Sequence, residues 1–423
     1  MRSSLGAISG GAVLEDRVLL TGNVTGSVSN GKLVLVGDSQ DNVITVEYTG
    51  VAGQYKVTGG ATSVNGAAFE IFTGVTSDFS IRMGNGHDHV TLLAFGATHF
   101  PIHGDLKIDL GNGNDMATLQ TDNTSQILVD GGVSILGKGG EDVLVVKANG
   151  NGSLINIGGD LNLSPGSSSN NCQIRAFGDS SVVQIGGTTT IAGGSQNETV
   201  LIQADGISGR VETIGDLNVN LHGGDNFCIL KGGNTASKVI VQHDFAFKGG
   251  GGNDNLSVQA PGMNSFVDIL GSAKITLGGR NDSTFLQASG ASSYVRVVQD
   301  LTISTGSGND VFAMQTNEAN AFVSVIQDFS AKLGSGNNTF LMQGNGPTSN
   351  VFIGGNASIK MGSGSDSFAT QANMGTSSVL VSGMLDVRLG GGMNAVVVQS
   401  NAAGALVQVG GDASYRGGGG VDS

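Results

Sequence analysis

The sequence predicts an all-β fold, a single-stranded, right-handed parallel β-helix with three short strands per rung. About twelve rungs are expected, each a 27- or 28-residue repeat. Three observations predict it: the composition, a glycine-rich loop recurring at a fixed step, and apolar columns in phase with that loop. Right-handedness is expected because crossover connections between parallel strands nearly always have that hand.

The chain has 423 residues, with 72 Gly, 4 Pro and no Trp. Gly is far above its usual share of about 7% and lacks the three-residue period of collagen. Hydrophobic residues make up 39%, enough for a core. They are mostly Val, Ile and Leu, which suit strands. The net charge of −14 repels phosphate backbones, so nucleic acid is not an expected partner. Solubility and attraction for cations both remain as readings of that charge. No apolar run is long enough to span a bilayer, and the stretch from Met1 to Gly22 lacks the continuous apolar core of a standard secretory signal.

The loop recurs as MGNGHD at Asp88, LGNGND at Asp115 and GKGGED at Asp142, then GGGGND at Asp254, GGRND at Asp282 and GSGND at Asp310. It continues through Asn338, Asp366, Asn394 and Asp422. Asp88 to Asp115 and Asp115 to Asp142 are 27-residue steps. From Asp142 the anchors keep a 28-residue step, with Asn170, Glu198 and Asn226 filling the missing beats.

With these anchors aligned, columns become readable. Two residues on stand Val90, Leu144, Cys172, Cys228, Phe312 and Phe340, and four on stand Leu92, Val146, Ile174, Leu286 and Met314. They alternate with polar positions, as a half-buried strand requires. Thirteen and fifteen on come Val and Ile again, and a third alternating set includes Ile303 and Val387. Each unit therefore holds three strands. One unit cannot bury its own apolar face, but stacked units can. At about 4.8 Å per rung the rod is roughly 55–60 Å long.

Cys172 and Cys228 share a core column two rungs apart. That is about 9.6 Å, beyond the ~7 Å limit for a disulfide, so two buried free thiols are expected. Outside, a Gln column (Gln203, Gln259, Gln287, Gln315, Gln343, Gln371, Gln399) reads as an amide ladder along the axis or a ligand-binding strip. Asp160, Asp216, Asp244, Asp300, Asp328 and Asp412 form another column, read as Asp holding a turn through its own backbone.

Three segments follow. Residues 1–30 form an N-terminal export or sorting segment with little order. Residues 31–87 form capping strands and a first rung, with a loop at Asp41, because an open stack end exposes unpaired backbone. Residues 88–423 are the regular repeats.

The loop at Asp254, GGGGNDNLS, fits the nonapeptide GGxGxDxUx of calcium-binding β-rolls. Glycines let such a loop turn sharply, Asp supplies a carboxylate, and Ca²⁺ takes six to eight oxygens. The metal candidates are Asp88, Asp115 and Asp142, then Asp254, Asp282 and Asp310. Like charges stacked at 4.8 Å repel by about 0.9 kcal/mol even at water's dielectric constant, a cost that a cation removes. Against calcium stand the Asn and Glu anchors, the 28-residue spacing, and Arg280, whose guanidinium is placed to neutralise Asp282. The corner as an ion site and the corner as a purely structural turn both stay open.

LEDRVLLTG, Leu14 to Gly22, resembles the Leu-Glu-Pro-Arg-x-Leu-Leu-Ser segment near the N-terminus of many planctomycete surface and secreted proteins. Leu14, Glu15, Arg17, Leu19 and Leu20 match; Asp16 stands where Pro is usual, and Thr21 where Ser is usual. The following GDSQDNVITV resembles the opening of repeat regions in those proteins and in haemolysin-type calcium-binding proteins. The resemblance implies export to the bacterial cell surface or beyond, and no enzymatic activity.

The expected function is a secreted or cell-surface structural or adhesive rod with calcium as its cofactor. Polysaccharide or other surface proteins are the expected partners, and the rod itself is expected to be monomeric. The alternative is a carbohydrate-active β-helix enzyme, a polysaccharide lyase or hydrolase. It would need convergent acids and bases in a groove. The acids here lie along columns instead, and no catalytic residue is assigned.

Overall fold

The computed structural model describes residues 22–420, 422 and 423. Among these residues, 43 strands fall into three sheets of 16, 15 and 12 strands. In the rung of Asp310 the three strands are Val311–Thr316, Phe322–Val325 and Phe329–Lys332. They lie on the first, second and third faces of the rod. From His89–Ala94 onward each strand pairs in parallel with its counterpart one rung later. Val311 faces Thr339, Phe322 faces Asn350, and Phe329 faces Ala357. The fold is thus the β-solenoid of about twelve turns that the repeat predicts.

Stacking makes the core continuous, because each apolar column meets itself. Phe312, Phe340 and Phe368 are buried with ring centroids 5.1 and 5.5 Å apart. Cys172 pairs with Val200, which pairs with Cys228; both thiols are buried and free.

The corner between the first and second faces has its own device. Ser265 and Ser293 are fully buried, and their hydroxyls donate to the carbonyls of Gly262 and Gly290 at 2.8 and 2.7 Å. The preceding residues, Asn264 and Ser292, take φ of 55°. The turn needs that left-handed residue, and the Ser closes it from inside.

The N-terminal end is closed by antiparallel pairs. Gly22–Ser29 pairs with Lys32–Val36, and Tyr55–Gly59 pairs with both Val43–Tyr48 and Phe69–Phe72. Gly22–Ser29 therefore belongs to the cap. Residues 1–21 of the expected export segment, including Leu14 to Thr21, lie outside the described residues. Inside the cap the Tyr55 ring packs edge-on against Phe79 at 4.8 Å, and its hydroxyl donates to the Pro101 carbonyl.

The loop expected at Asp41 is shifted by one residue: Asn42 is the anchor. Its N–H donates to Asp88 Oδ1 at 2.8 Å, and Val43 pairs with His89. Asp41 instead accepts from the N–H of His87 at 2.7 Å. In the last rung described, Val398 of the core column is 49% exposed.

Candidate functional site: the Asn–Asp corner

The corner where the third face leads into the next first face carries the six candidate metal residues. The anchor precedes the buried position by two residues, and strand side chains alternate. The anchor side chain therefore points inward. Asp88, Asp115, Asp142, Asp254, Asp282 and Asp310 are at most 2% exposed. The structure places all six in one column, with the first three in successive rungs and the last three in successive rungs.

Each anchor carboxylate reaches back one rung. Asp115 Oδ1 accepts the N–H of Asp88 at 2.7 Å, and Asp142 Oδ1 that of Asp115 at 3.0 Å. Asp282 serves Asp254, and Asp310 serves Asp282, both at 2.9 Å. Asn anchors do the same: Asn338 Oδ1 accepts from Asp310 at 3.0 Å. The residue just before the anchor runs a second ladder in the opposite direction. Asn281 Oδ1 accepts the N–H of Asn309 at 2.8 Å, and Asn309 Oδ1 that of Asn337 at 2.7 Å. An Asn-Asp dipeptide thus clamps its rung to both neighbours.

The second carboxylate oxygen is left over. Oδ2 of Asp88, Asp115, Asp142, Asp254, Asp282, Asp310 and Asp366 is buried without a hydrogen-bond partner. The Asn anchors show what belongs there. Asn338 uses its Oδ1 as the Asp anchors do, and its Nδ2 donates to the carbonyls of Gly334 and Gly336 at 3.0 and 3.1 Å. Asn394 repeats this toward Gly390 at 3.0 Å. The 28-residue register puts Gly306 and Gly308 in the same relation to Asp310. An ionised Asp therefore sets a negative oxygen against carbonyl oxygens, in a place that favours a donor or a cation. The space is tight: a Cβ on Gly249 would lie 2.1 Å from Asp254 Oδ2.

Burial consequently pushes three of these acids up, Asp88 to about 6 and Asp142 and Asp282 to about 7, with neighbouring anchor charges adding to it. Arg280 does not relieve Asp282. Its side chain is exposed and forms no ion pair among the described residues, while Asp282 Oδ2 stays without a partner. Arg280 instead occupies a left-handed position, φ 83°, where the later rungs have Gly.

The corner's donor set fits calcium in kind, since a free carboxylate oxygen and glycine carbonyls are hard oxygen ligands. Among the described residues no three His, Cys, Asp or Glu side chains converge. Beyond Oδ2, the ligands would be carbonyls and water.

Two other columns behave differently from expectation or only partly as expected. Gln315 donates to Gln343 at 3.0 Å and Gln343 to Gln371 at 2.5 Å, an axial amide ladder over three rungs. The Asp column of the second corner does not hold its own turn: Asp160 accepts the N–H of Thr188, Asp244 that of Ser272, and Asp328 that of Asn356. These carboxylates link rungs, because the stacked neighbour's N–H lies nearer than a local one. An Asn ladder that sequence reading missed runs Asn401 to Asn373 to Asn345 to Asn317, at 2.6, 2.7 and 3.0 Å. Its signal was a four-rung Asn column at 28-residue spacing.

Two open hollows of about 380 Å³ lie on the third face, one along Asp105, Lys107 and Asp160, the other along Asp216, Asp244 and Lys274. Their acids are inter-rung acceptors: Asp105 for Gly132 and Asp216 for Asp244. Comparison with protein-family models, with curated proteins and with solved structures finds no match.

Proposed function

We propose that this chain is a structural or adhesive rod of the bacterial cell surface or its surroundings, stiffened by calcium at the Asp corners. The observation that carries the structural part is the pairing register. From Asp142 onward every rung keeps the 28-residue step with no insertion, and rungs are joined on all three faces. Such a stack resists bending because each added rung is tied by backbone ladders and by the anchor side-chain ladder, with the second, opposed ladder added between Asn197 and Ser365. The N-terminal resemblance supports placement outside the cell. The orphaned Oδ2 atoms support calcium, with Asp88, Asp115 and Asp142 as one run and Asp254, Asp282 and Asp310 as the other. Polysaccharide or other surface proteins are the proposed partners, met by a monomeric rod.

Thermal unfolding in EDTA and then in millimolar Ca²⁺ tests the calcium part. A ligand that binds only the folded state raises the midpoint. The rise is expected in the native sequence and absent in the Asp88→Asn, Asp115→Asn, Asp142→Asn, Asp254→Asn, Asp282→Asn, Asp310→Asn variant. No shift in either removes calcium and leaves the corner a clamp alone.

A further inference from the structure

Every Lys and Arg beyond Arg296 stands in one column. Lys332, Lys360, Arg388 and Arg416 are the only four basic residues in that stretch. They end four successive third-face strands, where Lys332 faces Lys360, Lys360 faces Arg388, and Arg388 faces Arg416. All four are exposed. In a chain of net charge −14, this concentrates the positive charge of the last four rungs into a single line along the rod axis, at about 4.8 Å per charge.

The line is short of counter-charge. Arg388 holds Asp386 at 2.7 Å, and Arg416 donates to Ser414 at 3.1 Å. Among the described residues, the side chains of Lys332 and Lys360 have neither an ion pair nor a hydrogen bond. Asp386 is the one carboxylate among the outward neighbours Ser330, Ser358, Asp386 and Ser414. Its carboxyl is held below the usual range by the bond from Arg388, with the charges of Arg388, Arg416 and Lys360 adding to it. Like charges at strand spacing repel one another, so the column is at its most favourable when an external anion lies along it.

From this column we infer that the Lys332–Arg416 line docks a linear anionic polysaccharide along the rod axis. The partner must offer negative groups in a line, spaced on the scale of a rung. A polysaccharide with one carboxylate or sulfate per sugar residue does so. Duplex nucleic acid carries one charge per about 1.7 Å, much denser than one cation per rung, and the rest of this acidic rod repels it. A protein interface is a poorer fit, because the flanking residues here are Ser and Asp, with no aromatic or aliphatic anchor beside the charges. The hydroxyls of Ser330, Ser358 and Ser414 suit sugar hydroxyls beside the charged groups. This inference rests on the adhesive half of the proposed function and is independent of calcium.

The test is binding of the full chain to immobilised alginate, a polyuronate, and to dextran sulfate, with neutral dextran and duplex DNA as comparisons. Binding to an anionic polymer is expected, falling about tenfold or more between roughly 50 and 200 mM salt as charges are screened. The Lys332→Ser, Lys360→Ser variant is expected to lose about tenfold or more at the lower salt while melting as the parent does. A Lys107→Ser, Lys274→Ser variant, altered on the same face in other rungs, is expected to bind as the parent does. The stronger of the two polymers identifies carboxylate or sulfate as the recognised group. The inference is overturned by no binding to either polymer at roughly 50 mM salt, or by binding indifferent to the Lys332/Lys360 change. Equal or tighter binding to DNA also overturns it. So does salt-sensitive self-association abolished by the same variant, which would assign the column to a second copy of the chain.

Discussion

The backbone N–H of Asp282 donates to the side chain of Asp310, one rung further along, at 2.9 Å. The side chain of Asn309, the residue before Asp310, accepts the backbone N–H of Asn337, on the opposite neighbouring rung, at 2.7 Å. The dipeptide in GSGND is therefore a two-way clamp. Neither side chain serves its own turn. This gives the corner a structural role whether or not an ion is bound, and it separates what Oδ1 does from what Oδ2 lacks.

That separation predicts opposite outcomes for two small changes at one site. In EDTA, Asp310→Ala leaves the N–H of Asp282 without its acceptor in a buried corner, a loss of about 1–3 kcal/mol. Asp310→Asn keeps Oδ1 and adds a donor where Asn338 already shows one reaching glycine carbonyls. Its stability in urea is expected to equal or exceed that of the native sequence.

A pH dependence follows from the same atoms. Asp88 is raised to about 6, and Asp142 and Asp282 to about 7, from about 3.9 in an unfolded chain. A group raised on folding binds its proton more tightly in the folded state. Its stabilisation is complete below the unfolded value and is lost as pH rises through the folded one. In EDTA the melting midpoint is therefore expected to fall between roughly pH 4 and pH 7 and to level off above that. The slope should flatten in the Asp88→Asn, Asp142→Asn, Asp282→Asn variant. An unchanged slope in that variant would remove these three acids as its source.

Arg280 and Gly308 occupy one column and predict changes of opposite sign. Arg280 sits at φ 83°, where a side chain costs about 1–2 kcal/mol. Arg280→Gly is expected to gain about 0.5–1 kcal/mol after the greater freedom of unfolded glycine is subtracted. Gly308 has φ 143°, and a Cβ there would lie 1.8 Å from the Arg280 carbonyl oxygen. Gly308→Ala is expected to cost about 3 kcal/mol or more. Chemical denaturation of both variants reads the two signs.

The thiols offer a check on the register. Cys172 and Cys228 are buried, and burial pushes both thiols up, away from the reactive thiolate. Neither is expected to react with a thiol reagent until the rod unfolds, when both should. A native disulfide between them would break the two-rung separation.

Much of the fold was legible because a fixed step turns one sequence into columns. The buried positions two and four residues after each anchor, and the cysteine spacing, came directly from it. The inward direction of the anchor was also encoded, in its even separation from Val90 or Phe312. An ion-loop reading, which attends to loop composition, passes over that parity. Asp41 matches the motif by composition, whereas the column admits Asn42 just as well, because only an Oδ1 is required there. The inter-rung role of Asp160 and Asp328 was hidden because local turn bonding and bonding to the next rung use the same residue type. The Lys332–Arg416 column was also written at the 28-residue step; what the sequence hides is that its Lys side chains face solvent without a partner, since exposure and pairing depend on the neighbouring outward residues of the folded third face.

Amide hydrogen exchange across residues 278–284 is the most direct measurement, taken in EDTA on the native sequence, Asp310→Asn and Asp310→Ala. If the side chain of residue 310 clamps the rung of Asp282, the Asn variant exchanges as slowly as the native sequence, and the Ala variant exchanges at least about tenfold faster at this corner. Equal protection in all three proteins would contradict the clamp, as would an Asn variant that opens as readily as Ala.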